Sequence, residues 1–201
     1  MTQKEKVIAH VAQMVLTLGV KSVRMDDVAQ SLGMSKRTLY EMFGDKEELI
    51  FESVKYHSER RAKEILSTLE HYDTGIEQLL ACTYALLNGG VMLEVDKRMA
   101  INLKKFYPVV HERLSHCHIE QSFAGLQCVL DYSMENGELE PSVDVELMTR
   151  LFFNTMQTLL YENSTVIPEE ITREEALSAM LINFLRGIAS EKGRQIIDQI
   201  L

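Results

Sequence analysis

The stretch from Met25 to Gly44, MDDVAQSLGMSKRTLYEMFG, leaves a chain few ways to fold. Ala29, Gly33 and Leu39 stand four and then six residues apart, with Val28, Leu32, Met34 and Met42 around them. A small residue at Ala29 lets a second helix cross close over the first. Gly33 supplies a turn that needs a positive φ or the absence of a side chain, and Leu39 anchors the second helix inward. Ser35, Lys36, Arg37 and Thr38 lie between the turn and that anchor and face outward. The pattern is that of a helix-turn-helix. A short helix that hides one face and offers hydroxyls and two cations on the other suits the DNA major groove. An ordinary helical hairpin at the edge of a bundle is the alternative.

The rest of the chain narrows the choice. Its 201 residues suffice for one large or two small domains, and 46% hydrophobic residues with only three prolines favour a helical, core-forming protein. No apolar run reaches the roughly 20 residues of a membrane span. The opening MTQKEKVIAHVAQ lacks the apolar segment of a secretory signal, so the expected location is the cytoplasm, without a membrane partner. Three cysteines, Cys82, Cys117 and Cys128, are an odd number without metal-type spacing, and are expected to be reduced and buried. The net charge of −9 is unevenly spread: residues 1–46 carry +2 and the remainder −11. An acidic body behind a mildly basic head repels DNA everywhere except at the reading surface.

Helical periodicity extends along the whole chain, and no stretch of useful length has the period of a strand. Val7, Ile8, Val11, Met14, Val15 and Leu18 mark a first helix over 4–18 with Gly19 as its stop. The hairpin helices follow over about 25–32, with Asp26 and Asp27 in the first turn, and about 35–43, with Ser35 as N-cap. Asp45 and Glu48 have the spacing of a capping box for a long helix over 45–71. Lys46, in its first turn, opposes the helix dipole unless an anion is near; it is either a solvated lysine or a phosphate contact. Further helices are expected over 73–88, stopped by Asn88-Gly89-Gly90; over 92–106; over 108–135, with Pro108 at N1 and Asn136-Gly137 as stop; and over 144–162. After a turn over 163–168, Thr172 and Glu175 form a capping box that opens a last helix, with a break near Gly193. The expectation is an all-α chain of about nine helices. An N-terminal three-helix head with the helix-turn-helix (1–46) precedes a larger helical body (47–201).

The head closely resembles the tetracycline-repressor (TetR) family of bacterial transcriptional regulators. The matching residues run from Ala12 and Gly19 through Met25, Asp27, Val28, Ala29, Gly33 and Ser35. They continue with Thr38-Leu39-Tyr40, Phe43, Lys46-Glu47 and Leu49. Beyond about residue 50 only length, helix number and a Phe184-Leu185-x-Gly187 stretch agree. The resemblance implies a DNA-binding domain over 1–46 and a ligand-binding and dimerisation domain over 47–201, in a homodimer that binds a palindromic double-stranded operator and is released by a small-molecule effector, with the helix over 45–71 as pendulum; activation instead of repression stays open. By position, Ser35, Lys36, Arg37 and Thr38 face bases or phosphates, Tyr40 sets its hydroxyl on a phosphate, and Lys46 takes a phosphate at the start of the fourth helix. For Tyr40, a core tyrosine with a satisfied hydroxyl is the other reading. The chain departs from the family at Arg24, where Thr or Ser commonly caps the first hairpin helix. Arg24 either reaches a phosphate or pairs with Asp26 or Asp27.

The effector pocket is weakly encoded. Candidates on the middle helices are Tyr84, Met99, Asn102, Phe106, Tyr107, Phe123, Gln127 and Met156, with Met92 and Met148 beside them; aromatic and Met residues at this spacing also suit plain core. The segment HERLSHCH, His111 to His118, is the one cluster resembling metal ligands. Its histidines do not share one helix face at ligand spacing, so neither a metal nor a cofactor is expected, and a metal- or redox-sensing variant is the weaker reading. No Gly-rich phosphate loop, G-x-S-x-G or H-E-x-x-H occurs, so no catalytic residue is assigned and no enzyme is expected. The helices over 144–162 and 172–189 are apolar around more than one stripe, which points to a four-helix interface with a second copy. A helical adaptor, or a nucleoid-type protein without a specific operator, is the competing class.

Overall fold

In the computed structural model, the described backbone comprises residues 1–69, 71–87, 90–161, 167–168 and 170–201. The described side chains are the same except 86–87, 90–97, 160–161 and 173–174. Ten helices occupy the described residues: α1 (Gln3–Leu18), α2 (Met25–Ser31), α3 (Lys36–Phe43), α4 (Lys46–Leu69), α5 (Gly75–Leu87), α6 (Gly90–Phe106), α7 (Pro108–Glu135), α8 (Val145–Tyr161), α9 (Arg173–Ile188) and α10 (Glu191–Ile200). The all-α fold with an N-terminal helix-turn-helix is therefore as expected, with one helix more than the approximate number. The side chain of Met92, the stop at Asn88-Gly89 and most of the turn over 163–168 lie outside the described residues.

The chain forms two compact units. The first comprises Met1–Glu64 and Gly89–Ile119, the second Ile65–Asn88 and Glu120–Leu201. In the first, Val7, Val11 and Val15 of α1 pack with Val20 and Val23 of the connector, Val28 of α2, Leu39 and Phe43 of α3, and Leu49, Ile50 and Val54 of α4. Leu103 of α6 and Val110 of α7 complete this core, so residues far along the chain help to hold the helix-turn-helix. Each buried aliphatic side chain of this kind contributes about 1.5–3 kcal/mol relative to exposure.

The second unit is organised by a residue with no obvious signal in the sequence. Glu138 is 1% exposed, and its carboxylate accepts from the N–H groups of Gly75 (3.3 Å) and Ile76 (3.1 Å), capping α5 from a distant part of the chain. Those donors have no partner within the helix, and the anion also complements the helix dipole. The Glu138 N–H donates to the Ser133 carbonyl, and the Glu138 carbonyl accepts from Ser190 N–H, both at 2.9 Å. Around this hub pack Ile76 and Leu79 of α5, Leu130 of α7, Phe152 of α8, Leu181 and Leu185 of α9, and Ile197 of α10.

Two expectations need correction. The break in the C-terminal helical segment falls at Ala189–Ser190, not near Gly193. Ser190 accepts from Gly193 N–H through its hydroxyl and starts α10, in which Gly193 is buried. Gly193 is a place of close approach: a Cβ there would run into the Glu138 carbonyl oxygen. The three cysteines are free, but none is buried; Cys128 is exposed and the other two are half-buried.

Candidate nucleic-acid interface

Local chemistry explains the hairpin. Gly33 has φ +63°, a left-handed conformation that other residues adopt only at a cost, and Met34 N–H donates back to the Ala29 carbonyl at 3.0 Å to close the turn. Ala29 is 6% exposed and Leu39 fully buried, as close crossing and inward anchoring require. Ser35 caps α3, its hydroxyl accepting from Thr38 N–H at 3.1 Å. The Ser35 and Thr38 hydroxyls also lie 2.8 Å apart, so each is already engaged locally.

The outward face of α3 carries Lys36, Arg37 and Tyr40. Lys36 reaches across the hairpin to Asp26 at 2.9 Å, and this carboxylate raises the pKa of the ammonium. Arg37 pairs with Glu41 at 2.8 Å, one turn along the same helix. Both pairs are solvent-exposed and so only weakly stabilising. Tyr40 is 42% exposed, and among the described residues its hydroxyl has no hydrogen-bond partner. The core-tyrosine reading therefore fails, and a donor is left pointing outward.

Arg24 stands at the N-cap of α2 with extended backbone and makes no side-chain cap hydrogen bond. Among the described residues it pairs with neither Asp26 nor Asp27; Asp26 is taken by Lys36. Lys46 is the first residue of α4, and its ammonium lies 5.4 Å from the centre of the Tyr107 ring.

Only half of the capping box expected at Asp45 and Glu48 forms. Asp45 accepts from Glu48 N–H at 2.8 Å, but the Glu48 carboxylate turns to Arg113 of α7, which grips it at 2.7 and 3.2 Å. The Arg113 guanidinium also lies 3.8 Å over the Phe51 ring. A bidentate partner outcompetes a single backbone N–H for the carboxylate. A partner 65 residues away leaves no trace in local spacing.

The eight effector-pocket candidates are divided between the units. Met99 and Tyr107 pack on the core of the first unit, Asn102 is half-buried there, and Phe106 is 36% exposed between two lysines. In the second, Phe123 meets Phe153 edge-on at 5.8 Å with Arg150 over its ring, Gln127 donates to Asp131, and Met156 packs on the core. The Gln127 side-chain oxygen is buried and has no partner. Tyr84 borders an open, largely apolar groove of about 400 Å³, with Tyr72 and Leu80 from the α5 side, Leu181 and Ile182 of α9, and the terminal Leu201. Sequence reading did not anticipate this groove, because its wall joins α5 to the end of the chain. Among the described residues no group of three His, Cys, Asp or Glu side chains converges on a metal-sized site, and no helix is long and apolar enough to cross a membrane.

Residues 12–52 match the profile of the bacterial regulatory proteins of the tetR family. No curated protein sequence is significantly similar to the chain. Solved structures are similar in fold. One is a TetR-family transcriptional regulator described from Mesorhizobium loti, with a TM-score of 0.64 and 16% identity over 94% of this chain and 100% of that one. A TetR-family regulator from Cytophaga hutchinsonii gives 0.63 and 14% over 94% and 96%. A transcriptional regulator from Saccharomonospora viridis, in complex with choline, gives 0.58 and 12% over 94% and 98%. The helix-turn-helix of this chain therefore belongs to the tetR family of bacterial regulatory proteins, and the chain as a whole has the fold of that family's regulators.

Proposed function

We propose that the chain is a sequence-specific DNA-binding transcriptional regulator: a homodimeric repressor, at a palindromic operator, released by a small-molecule effector. The observation that carries the reading is the outward face of α3. There Lys36, Arg37 and the unpartnered Tyr40 hydroxyl stand exposed on a helix whose other face is locked into the core by Leu39 and Phe43. Arg24 and Lys46 add cations at the starts of the two neighbouring helices, where backbone N–H groups also favour phosphate. Ser35 and Thr38 hold α3 in shape and complete the polar face. In this reading residues 1–46 form the reading head and the remainder holds the effector and the partner copy.

A dimer is supported by α8, where Leu147 and Leu151 are about half exposed one turn apart, and by the exposed small residues Ala179 and Gly187 on α9. Two heads related by a twofold axis would meet successive major grooves about 34–36 Å apart, which makes the operator palindromic. An effector acts by favouring a state with another spacing, to the extent of its differential affinity for the two states. The choline complex shows that a regulator of this fold holds a small molecule. The candidate effector residues are Tyr84, Met99, Asn102, Phe106, Tyr107, Phe123, Gln127 and Met156.

The test is selection of bound duplexes from a random pool, followed by affinity measurement at moderate salt and sedimentation of the free protein. A palindromic consensus bound at least about a hundredfold tighter than random duplex, by a dimer, is the expected result. Affinity that is wholly salt-driven and indifferent to sequence would sink the reading in favour of a nucleoid-type protein.

A further inference from the structure

The first unit carries a second group of cations besides those of α3. The Phe106 ring, at the end of α6, receives the Lys21 ammonium at 5.1 Å and the Lys105 ammonium at 5.4 Å. Two ammonium groups so close to one ring cannot lie much farther apart than a Debye length at 0.1 M salt, ~10 Å. Tyr107, next in the chain, carries Lys46, and the exposed Lys104 flanks Lys105. Lysines from the α1–α2 connector and the end of α6 thus share one ring, and a lysine from the start of α4 takes the ring next in the chain.

None of these four lysines has a carboxylate within ion-pair distance among the described residues. By contrast, Lys36, Arg37, Arg113, Arg150 and Arg186 all do. Lys4, Lys6 and Arg24 of the same unit also have none among the described residues, so what distinguishes this group is its placement on the Phe106 and Tyr107 rings. The aromatic rings hold the lysine stems and offset part of the mutual repulsion, but they do not neutralise the charge. Exposed ammonium groups held this close favour an anion with several charges over a single small counterion.

We propose that Lys21 and Lys105, which share the Phe106 ring, form with the neighbouring exposed Lys104 a second contact surface for the sugar–phosphate backbone of duplex DNA, additional to the α3 face and the helix starts. This rests on the DNA-binding reading above and extends it to residues outside the helix-turn-helix. A contact to phosphates alone adds affinity without sequence information, and releases one set of condensed counterions for each phosphate neutralised.

The experiment measures the dependence of duplex affinity on salt for the full chain, on the selected operator and on random duplex. The variants are the triple K21A/K104A/K105A, the charge-keeping triple K21R/K104R/K105R, and K36A/R37A. The alanine triple is expected to reduce the slope of log K against log salt by about 0.9 for each phosphate left without its lysine, hence by roughly two to three per chain. It weakens operator and random duplex by the same factor, the arginine triple restores both, and K36A/R37A instead reduces the preference for operator. An alanine triple with wild-type slope and affinity overturns the proposal and leaves the patch to an acidic protein surface. If the wild type prefers no sequence, the operator reading fails, while the slope on random duplex still decides for or against this surface. All three lysines are exposed, and equal melting temperatures show that the variants are folded.

Discussion

The Lys36 ammonium lies 2.9 Å from the Asp26 carboxylate, so an ion pair ties the reading helix to the helix before it. Arg37 is neutralised in the same way by Glu41. Both cations of the α3 face thus already hold a counter-charge, and DNA must displace it. Glu41→Gln and Asp26→Asn are each expected to tighten duplex binding about two- to fivefold at 0.1 M salt, since an exposed pair is a weak competitor. The gain should fade at several times that salt, as screening removes both the pair and the phosphate attraction. Weaker binding by both variants in a titration would mean that the pairs orient the cations rather than compete for them.

Tyr40 offers a phenol without a partner at the edge of the same face. Tyr40→Phe removes only that hydroxyl. Operator affinity should fall about tenfold, as for loss of one hydrogen bond to a charged acceptor of ~1.5 kcal/mol. The melting temperature should stay at the wild-type value, because no internal bond is lost. A variant that melts lower and binds normally would return Tyr40 to a purely structural role.

Glu138 and Gly193 make the second unit sensitive to small changes. Glu138→Ala leaves the Gly75 and Ile76 N–H groups buried without an acceptor, at ~1–3 kcal/mol for each orphaned donor. Gly193→Ala forces a methyl against the Glu138 carbonyl oxygen, at about 1–3 kcal/mol. Urea unfolding should show a lower midpoint for both variants. The double variant should fall short of the sum of the two, because each disturbs the same junction.

His57 of α4 is buried, and its pKa lies below the usual 6.5, first through desolvation and then through the charges of Arg61 and Arg60. The unfolded chain therefore binds this proton more readily than the folded one. The stability tied to neutral His57 is complete above about pH 6.5 and is lost as the pH falls through that value toward the lower folded-state pKa. Thermal melts from about pH 7.5 down to about pH 5.5 should show the wild type losing more stability than His57→Gln. Parallel curves for the two proteins would remove His57 from the account.

What could be read in the sequence follows the range of the interactions involved. The turn at Gly33, the Ser35 cap, the Pro108 start of α7 and the Thr172–Glu175 capping box all formed as expected. Each is decided within four residues of chain. The grip of Arg113 on Glu48, the Glu138 cap of α5 and the Phe106 lysine cluster join residues more than 60 positions apart. No period or local motif marks them. The Arg37–Glu41 pair was within reach, since its four-residue spacing is a helical neighbour relation. The effector candidates spread over both units because aromatic and Met residues line core and cavity alike.

The Glu138 cap also sets a clock on synthesis. Gly75 and Glu138 are 63 residues apart, so at ~5–20 residues per second the first turn of α5 waits roughly 3–13 s for its acceptor to be translated. Ser190 and α10, which close on the Glu138 backbone, arrive later still. During that wait every donor and acceptor of the hairpin's turn and cap bonds, Met34 to Ala29 and Thr38 to Ser35, has been translated, whereas the first N–H groups of α5 still lack theirs. A ribosome stalled between Gly75 and Glu138 would hold a chain whose second unit lacks the cap of α5, a natural target for chaperone or protease.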